Sequence, residues 1–252
     1  YSGPLLLGIG FFNGGIMKCK EYETKTGKPI RLWRGDCMEF MADLDDNAYQ
    51  LSIVDPPYGI GATNEIGIGA KNGRPVGSKN KWGDKKWDNE RPDKKYFNQL
   101  TKVSVNQICF GGNYFSDYLP ASRCWIVWDK VQRIDQADAE IAWTSFNSSI
   151  RIYNYAAMKL MGFMNPNRFH PTEKPTDLYR WILQKYATQR DRILDTHGGS
   201  MSLAIACYEE DFALDVIELD KDYYEAAVKR FEQHISQKSF NFNKKEVAAH
   251  KS

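Results

Sequence analysis

The chain has 252 residues, the size of one α/β domain with insertions rather than of two full domains. With 42% hydrophobic and 26% charged residues and a mean hydropathy of −0.57, the composition excludes a membrane protein and a wholly disordered chain. The net charge of +2 excludes no class of partner. Five scattered cysteines without a C-x-x-C pair favour a reduced, cytoplasmic compartment over a disulfide scaffold or a zinc site.

Both ends of the chain are predicted to lie outside the folded domain. Residues 1–16 are apolar and glycine-rich and lack an initiator Met. They are interpreted as a disordered or non-native leader that adds little to the fold, with Met17 as a plausible start. Residues 239–252 form a polar tail that is expected to fray. The domain is therefore predicted over residues 17–238.

Between these ends, β-branched or aromatic runs alternate with segments of helical periodicity. Such alternation predicts an α/β fold with a mostly parallel sheet built from right-handed β-α-β units. Ligands of such sheets bind beyond the carboxyl ends of the strands, so the residues that end each strand are candidate site residues. Strands are predicted at 30–34, 51–54, 107–110, 124–128, 192–195 and 213–217, helices at 37–44, 176–187, 200–208 and 221–235, and the strand-end residues are Asp36, Asp55, Gly111, Asp129, Asp195 and Glu218.

The segment Asp195-Thr-His-Gly-Gly-Ser200 combines a strand-end acid, a glycine pair and a following helix of small residues. Glycines in this context bring the backbone close to a ligand. Glu218 ends the next strand, about twenty residues later, where an acid accepts hydrogen bonds from the ribose hydroxyls of an adenosine. The pattern is not G-x-G-x-x-G, so a nicotinamide or flavin dinucleotide is the weaker interpretation. A tight turn with a surface acid is the remaining alternative.

A second motif, Asp55-Pro-Pro-Tyr58, follows the apolar run 51–54. Two prolines stiffen the backbone and lack N–H donors, so their carbonyls are available to a ligand. An ionised Asp and a proline carbonyl are two acceptors that suit the two N–H donors of an exocyclic amine, and they favour its attack on a methyl group through positioning and electrostatics. Tyr58 offers a face on which a base can stack. The alternative is an Asx-type turn with a packed tyrosine.

Positive charge is concentrated in one segment. Residues 71–95 hold nine Lys or Arg against four Asp or Glu, inside a stretch at 59–95 that is too long and polar to be a simple connection. Trp82 and Trp87 interleave with the lysines, which is typical of a loop that contacts nucleic acid. The alternatives are a solvated lysine-rich loop and tryptophans that anchor it to the core. The residues expected at phosphates are Lys79, Lys81, Lys85, Lys86 and Arg91.

These motifs resemble those of the β class of S-adenosylmethionine (SAM)-dependent DNA amino-methyltransferases, which act on adenine N6 or cytosine N4. Asp55-Pro-Pro-Tyr58 is similar to their catalytic motif, and the 195–200 segment with Glu218 to their cofactor-binding motif and ribose-binding acid. His170-Pro-Thr-Glu-Lys-Pro175 resembles the motif that holds the methionine portion, and Gly35-Asp36 the strand-end acid at the cofactor adenine. Because the catalytic motif precedes the cofactor motif, the order matches the circularly permuted β class.

The resemblance implies a Rossmann-like methyltransferase fold, with helices on both faces of the sheet, that binds SAM and methylates a flipped base in double-stranded DNA. It implies an enzyme of the kind found in restriction-modification, a monomer or homodimer that needs no metal. It also implies a target-recognition region at about 130–168, where Arg151 and Arg168 read guanine edges or bind phosphate. Adenine N6 is favoured over cytosine N4, because the adenine enzymes have D-P-P-Y more often than S-P-P-Y. The implied catalytic residues are Asp55, Pro56, Pro57 and Tyr58, and the implied cofactor-binding residues are Asp36, Cys37, Thr172, Lys174, Asp195, His197, Gly198, Gly199, Ser200 and Glu218.

Two residues depart from the family pattern. His197 and Met201 stand where members usually have a Phe and a second Gly, and Met201 is expected to need more room than Gly near the cofactor. A relative that binds DNA without catalysis is therefore an alternative, as is methylation of RNA or of a protein glutamine by the same acidic corner. The chain has no Pro-Cys pair, so direct transfer to nitrogen is favoured over a covalent route through a thiolate.

Overall fold

The computed structural model describes residues 6–12, 15–60, 88, 90–131, 137–156 and 173–249, and side chains within these ranges between 17 and 237. The described residues form ten strands and five α-helices. The strands are β1 (Leu6–Phe12), β2 (Gly15–Glu23), β3 (Pro29–Arg34), β4 (Tyr49–Val54), β5 (Ser104–Phe110), β6 (Trp125–Asp129), β7 (Ala139–Thr144), β8 (Arg151–Asn154), β9 (Arg192–Asp195) and β10 (Ala213–Glu218). The helices are α1 (Cys37–Ala42), α2 (Lys94–Val103), α3 (Thr176–Tyr186), α4 (Ser202–Glu210) and α5 (Lys221–Ala249).

All ten strands belong to one sheet, in the order β1-β2-β3-β10-β9-β4-β5-β7-β6-β8. The central five strands, from β3 to β5 in this order, are parallel. From β9 the chain leads through α4 to β10 on one side, whereas from β4 it leads through α2 to β5 on the other. The strand order therefore reverses between β9 and β4, and ligands of doubly wound sheets bind in the crevice at such a switch point.

Successive residues of the central strands point to opposite faces of the sheet, as the period of two requires. On β9, Ile193 belongs to one buried cluster and Leu194 to another, and Ile53 and Val54 of β4 divide in the same way. The first cluster also contains residues of α3, α4 and α5, and the second contains residues of α1 and α2. The sheet therefore carries helices on both faces, as the sequence predicted.

Three segments have a secondary structure that the sequence analysis did not assign to them. Leu6–Phe12, expected in a disordered leader, pairs antiparallel with β2 along its whole length; the Asn-Gly pair that separates the two runs is a hairpin signal. In the region expected for target recognition, 139–144 and 151–154 are strands of the main sheet, since both segments are rich in β-branched and aromatic residues. Residues 239–249 continue α5 instead of forming a frayed tail, because Lys, Glu and Ala are strong helix formers.

Within the part of the chain that the structure describes, no helix combines the length and apolar character needed to cross a membrane.

Candidate active site

The parallel strands bring the predicted strand-end acids together at the switch point. A cavity of about 330 Å³ lies there, beyond the carboxyl ends of β3, β10, β9 and β4. Its walls carry five carboxylates but a single lysine, so the cavity suits a ligand with positive charge. Of the residues implied as cofactor-binding, those that line it are Asp36, Cys37, Lys174, Asp195, His197, Gly198, Gly199, Ser200 and Glu218, joined by Asp55 and Pro57 of the other motif.

Glu218 is fixed by backbone donors on both carboxylate oxygens. Its Oε2 accepts a hydrogen bond from the N–H of Gly199 at 2.8 Å, and its Oε1 accepts one from the N–H of Asp220 at 2.8 Å. A carboxylate has about four lone-pair sites, so each oxygen can accept more than one hydrogen bond. The side chain is therefore held in place at the cavity wall, where it presents a carboxylate acceptor to a ligand.

Asp195, at the end of β9, is buried, and its Oδ1 accepts a hydrogen bond from the His197 N–H at 3.0 Å. Burial raises the pKa of Asp195 to about 8, against the lowering effect of the His197 N–H, and the Asp55 and Glu218 carboxylates add to the rise. With no ligand bound, the carboxyl is therefore mostly protonated at neutral pH, and a cation in the cavity favours its ionised form.

The glycine of the cofactor motif is required by a close approach to β10. A Cβ added at Gly198 would lie 2.8 Å from Cγ2 of Val216, and the Gly198 N–H donates to the carbonyl of Ile217 at 2.8 Å. Met201 follows in the left-handed region with φ of 55°. Its side chain is fully buried in the first core cluster and lies outside the cavity wall. The expectation that Met201 crowds the cofactor position is therefore wrong, because its side chain points into the core.

His197 serves as a buried neutral ring. Its Nδ1 lies 2.9 Å from Oγ1 of Thr196, and its ring meets that of Tyr96 edge-on at 5.4 Å between centroids. Burial lowers the pKa of His197 to about 4, so the imidazole is uncharged at neutral pH. It packs as an aromatic side chain would, which explains how it can stand where Phe is usual.

The motif Asp55-Pro-Pro-Tyr58 forms a corner, called the Asp55 corner below, that is hydrogen-bonded to residues far away in the sequence. The Tyr58 hydroxyl donates to Oδ1 of Asp55 at 2.6 Å, and Nζ of Lys174 donates to Oδ2. The Tyr58 backbone N–H donates to Oδ1 of Asp88 at 2.7 Å. Burial raises the pKa of Tyr58 well above its usual value, with Asp55 adding to the rise, so the phenol remains protonated and remains a donor to the carboxylate.

Two residues at this corner were missed by the sequence interpretation, Lys130 and Glu140. Nζ of Lys174 lies 3.4 Å from Oε2 of Glu140, and Oε1 of Glu140 lies 2.8 Å from Nζ of Lys130. Burial tends to lower the pKa of Lys174, but Asp55 and Glu140 outweigh it and the pKa is raised. Burial tends to raise the pKa of Glu140, but the two lysines lower it. Lys174 and Glu140 are therefore both held in their charged forms, in a row of alternating acidic and basic side chains.

The position of Glu140 follows from strand direction. It lies near the amino end of β7, and β7 runs antiparallel to β5. The start of an antiparallel strand meets the carboxyl ends of its parallel neighbours at one edge of the sheet. A search of strand ends alone passes over such a residue, although it did identify Asp129, next to Lys130.

A second cavity, of about 510 Å³, lies on the other side of the Asp55 corner. It is lined by Tyr58, Asn113, Tyr114, Lys130 and Glu140, among others, and Asp55 and Pro57 belong to the walls of both cavities. The four residues of the Asp-Pro-Pro-Tyr motif all line the second cavity. The two cavities thus meet at one rigid, acidic corner.

Arg230 of α5 supports the first cavity from behind. Its guanidinium pairs with Glu173 at 2.9 Å, and it donates to the carbonyl of Ser200 at 2.7 Å. Glu173 precedes Lys174 in the chain, so this half-buried arginine links the segment of Lys174 to the glycine-rich loop.

Some predicted site residues fall outside these constellations. Arg91 donates to both carboxylate oxygens of Asp117 at 2.9 and 2.6 Å, and lies over the Tyr118 ring at 4.7 Å; this pairing leaves its expected phosphate contact without support. Arg151 is exposed at the start of β8. The remaining predicted residues lie outside the described ranges: Lys79, Lys81, Lys85, Lys86, Arg168 and Thr172.

In the described ranges, no group of three or more His, Cys, Asp or Glu is arranged to hold a metal ion.

Comparison with solved structures finds DNA methyltransferases of low sequence identity. PvuII DNA methyltransferase (cytosine-N4-specific) matches with a TM-score of 0.52 and 12% identity, over 80% of this chain and 85% of that one. The M1.HpyAVI–SAM complex matches with a TM-score of 0.49 and 18% identity, over 79% and 98%. No family model and no curated protein matches the sequence. At such identities the likeness concerns the fold, and the chain has the Rossmann-like methyltransferase fold predicted from its sequence.

Proposed function

We propose that the protein is a SAM-dependent DNA methyltransferase that modifies the exocyclic amine of a flipped base, adenine N6 in first place. The observation that carries this proposal is the pair of cavities that meet at Asp55 and Pro57. One cavity suits an adenosine with a positive charge, and the other is wide enough for a nucleobase. A transferase needs such an arrangement, because donor and acceptor must meet at a single point.

The residues of the first cavity fit SAM. Glu218 lines the cavity as a fixed carboxylate of the kind that accepts from ribose hydroxyls, and the loop backbone at Gly198 and Gly199 lies close against β10. The acidic walls favour a ligand that carries a sulfonium and an ammonium group. When bound, SAM supplies an electrophilic methyl group. The side of the cavity at Asp55 is the side that faces the second cavity.

Asp55 is the residue that acts on the acceptor amine. Tyr58 and Lys174 each occupy one of its oxygens, and the remaining lone pairs are available to an N–H of the base. Holding the amine through its hydrogens localises the nitrogen lone pair for attack on the methyl carbon. The nitrogen gains one bond to carbon and must then lose one proton, and Asp55 is the carboxylate placed to receive it. Lys174 stays protonated and fixes Asp55.

The choice of base and substrate remains part of the proposal. The second cavity accommodates a purine or a pyrimidine by volume, and adenine is proposed on the resemblance of the Asp-Pro-Pro-Tyr motif to adenine enzymes. PvuII methyltransferase, of the same fold, is cytosine-N4-specific. Double-stranded DNA is proposed as the partner because of the basic segment 71–95. We propose the protein as a monomer or homodimer that works in the cytoplasm.

Methyl transfer to three substrates tests the function. The protein is incubated with tritiated SAM and with DNA from a host without DNA methylation, total RNA, or a protein extract. Incorporation into DNA alone supports the proposal, and sequencing of modified bases then identifies the base and its sequence context. Incorporation mainly into RNA or protein would refute the DNA assignment. If calorimetry detects no SAM binding at millimolar concentration while DNA still binds, the protein is a non-catalytic relative.

A further inference from the structure

The ring of Tyr114 covers the aromatic face that a flipped base would use. Tyr114 lies in the short 3₁₀ turn Gly112–Phe115 after β5. It stacks on Tyr58 with 4.9 Å between ring centroids and 15° between ring planes, and both rings line the second cavity. Stacked layers lie about 3.5 Å apart, so a base inserted between two rings needs about 7 Å between their planes. No base fits between the two tyrosines in this arrangement.

Tyr58 is held too firmly to move aside. Its hydroxyl donates a hydrogen bond to Asp55, and its backbone N–H donates one to Asp88. The Phe115 ring packs edge-on against it at 6.2 Å. The backbone of Gly111 is so close that an added Cβ would lie 2.3–2.7 Å from three consecutive ring atoms of Tyr58. The ring that can be displaced is therefore Tyr114.

Tyr114 is held by its backbone and is partly exposed to solvent. Its carbonyl oxygen accepts a hydrogen bond from Arg91 at 2.6 Å, and Arg91 is itself paired with Asp117. The residue is 38% exposed, so its side chain has solvent into which it can rotate. A change of side-chain rotamer at such a position takes place within nanoseconds and needs no backbone movement.

We propose that Tyr114 occupies the base-stacking position on Tyr58 in the free protein and is displaced by the target base. This inference rests on the proposed function. A stacked aromatic pair changes an equilibrium by about 2- to 10-fold beyond the area that it buries, so the ring competes with the incoming base by about that factor. Only a base that restores the stack on Tyr58 and brings its amine to Asp55 recovers the lost contact. Tyr114 would thus weaken the binding of partly flipped or misplaced bases.

The test compares variants that remove or keep the competing ring. Tyr114→Ala and Tyr114→Leu remove it, whereas Tyr114→Phe keeps it. KM for unmethylated DNA and kcat are measured at saturating SAM, and SAM affinity is measured separately by calorimetry. KM of the Ala and Leu variants should be about 2- to 10-fold lower than KM of the Phe variant. SAM affinity should be equal in all three, because Tyr114 lies outside the wall of the first cavity.

Two results would overturn the inference while leaving the proposed function intact. Equal KM values for the Ala, Leu and Phe variants would show that the ring blocks nothing. Higher KM values for Ala and Leu would show that Tyr114 stacks on the bound base instead of holding its place. A failure of the unsubstituted protein to methylate any DNA would refute the proposed function itself, and the inference with it.

Discussion

Asp55→Asn separates the chemical role of the acidic corner from its role in SAM binding. Asn keeps the shape of Asp and still accepts from the Tyr58 hydroxyl, but it carries no charge for Lys174. Removing one preorganised group at a site of developing charge typically lowers a rate by about 10²–10³. We therefore expect kcat to fall by about 10²–10³, with SAM affinity changed less than about threefold, or 0.7 kcal/mol.

The same substitution also has a stability cost that the structure bounds. The Lys174 side chain is 2% exposed, and breaking a buried ion pair costs about 3–5 kcal/mol. Because Glu140 remains 3.4 Å from Lys174, the unfolding free energy should fall by less, about 2 kcal/mol.

Single-turnover transfer of tritiated methyl groups, SAM calorimetry and urea unfolding measure the three effects. Asp129→Asn is the matched control, since Asp129 also ends a strand at this edge but lines neither cavity. Transfer by the Asp55→Asn variant within threefold of the unsubstituted protein would refute the role of the carboxylate.

Three further substitutions test the surroundings of the site. Met201→Gly removes the strain of a left-handed backbone, which costs about 1–2 kcal/mol of stability. It also deletes a fully buried side chain, whose loss costs about 2–5 kcal/mol. Unfolding should therefore become easier while SAM affinity is kept, and a more stable variant would contradict this balance. Asp195 has a pKa near 8 in the folded state against an ordinary 3.8, so the folded state keeps a proton that the unfolded chain releases between these values. Its stabilising contribution is complete at low pH and falls by up to about 1.4 kcal/mol per pH unit as the pH rises. The free energy of unfolding is measured by urea titration at pH 5 and pH 8 for Asp195→Asn and for the unsubstituted protein. The difference should move in favour of Asp195→Asn at pH 8, and the same difference at both pH values would exclude a raised pKa of Asp195. Gly111→Ala places a Cβ against the Tyr58 ring at a φ of 65° and should lower methyl transfer by about 10²-fold through displacement of that ring. Gly27→Ala, with a φ of 84° and no atom within 4 Å of the added Cβ, is the control for backbone strain without a clash. Equal losses of methyl transfer in both variants would refute the role of the clash with Tyr58.

The sequence by itself determined the class of fold and the residues of the two motifs. Asp195 and Glu218 each end a strand and Asp55 directly follows one, and a strand end is a local signal of composition and periodicity. Parallel strands place such ends at one edge of the sheet, so the meeting of these acids follows without knowledge of side-chain packing. Gly198 was also singled out from the sequence, but as a glycine that approaches a ligand; its close contact with Val216 of β10 is a tertiary one.

Only the tertiary structure decided what surrounds this corner. Glu140 reaches Lys174 because β7 runs antiparallel, and Tyr114 reaches Tyr58 because the chain turns sharply after β5. Met201 points away from the cavity although its neighbours line it. These outcomes depend on strand order and side-chain direction, which are set by contacts between segments far apart in the chain. Local patterns carry no information about such contacts, since each segment alone is compatible with several partners.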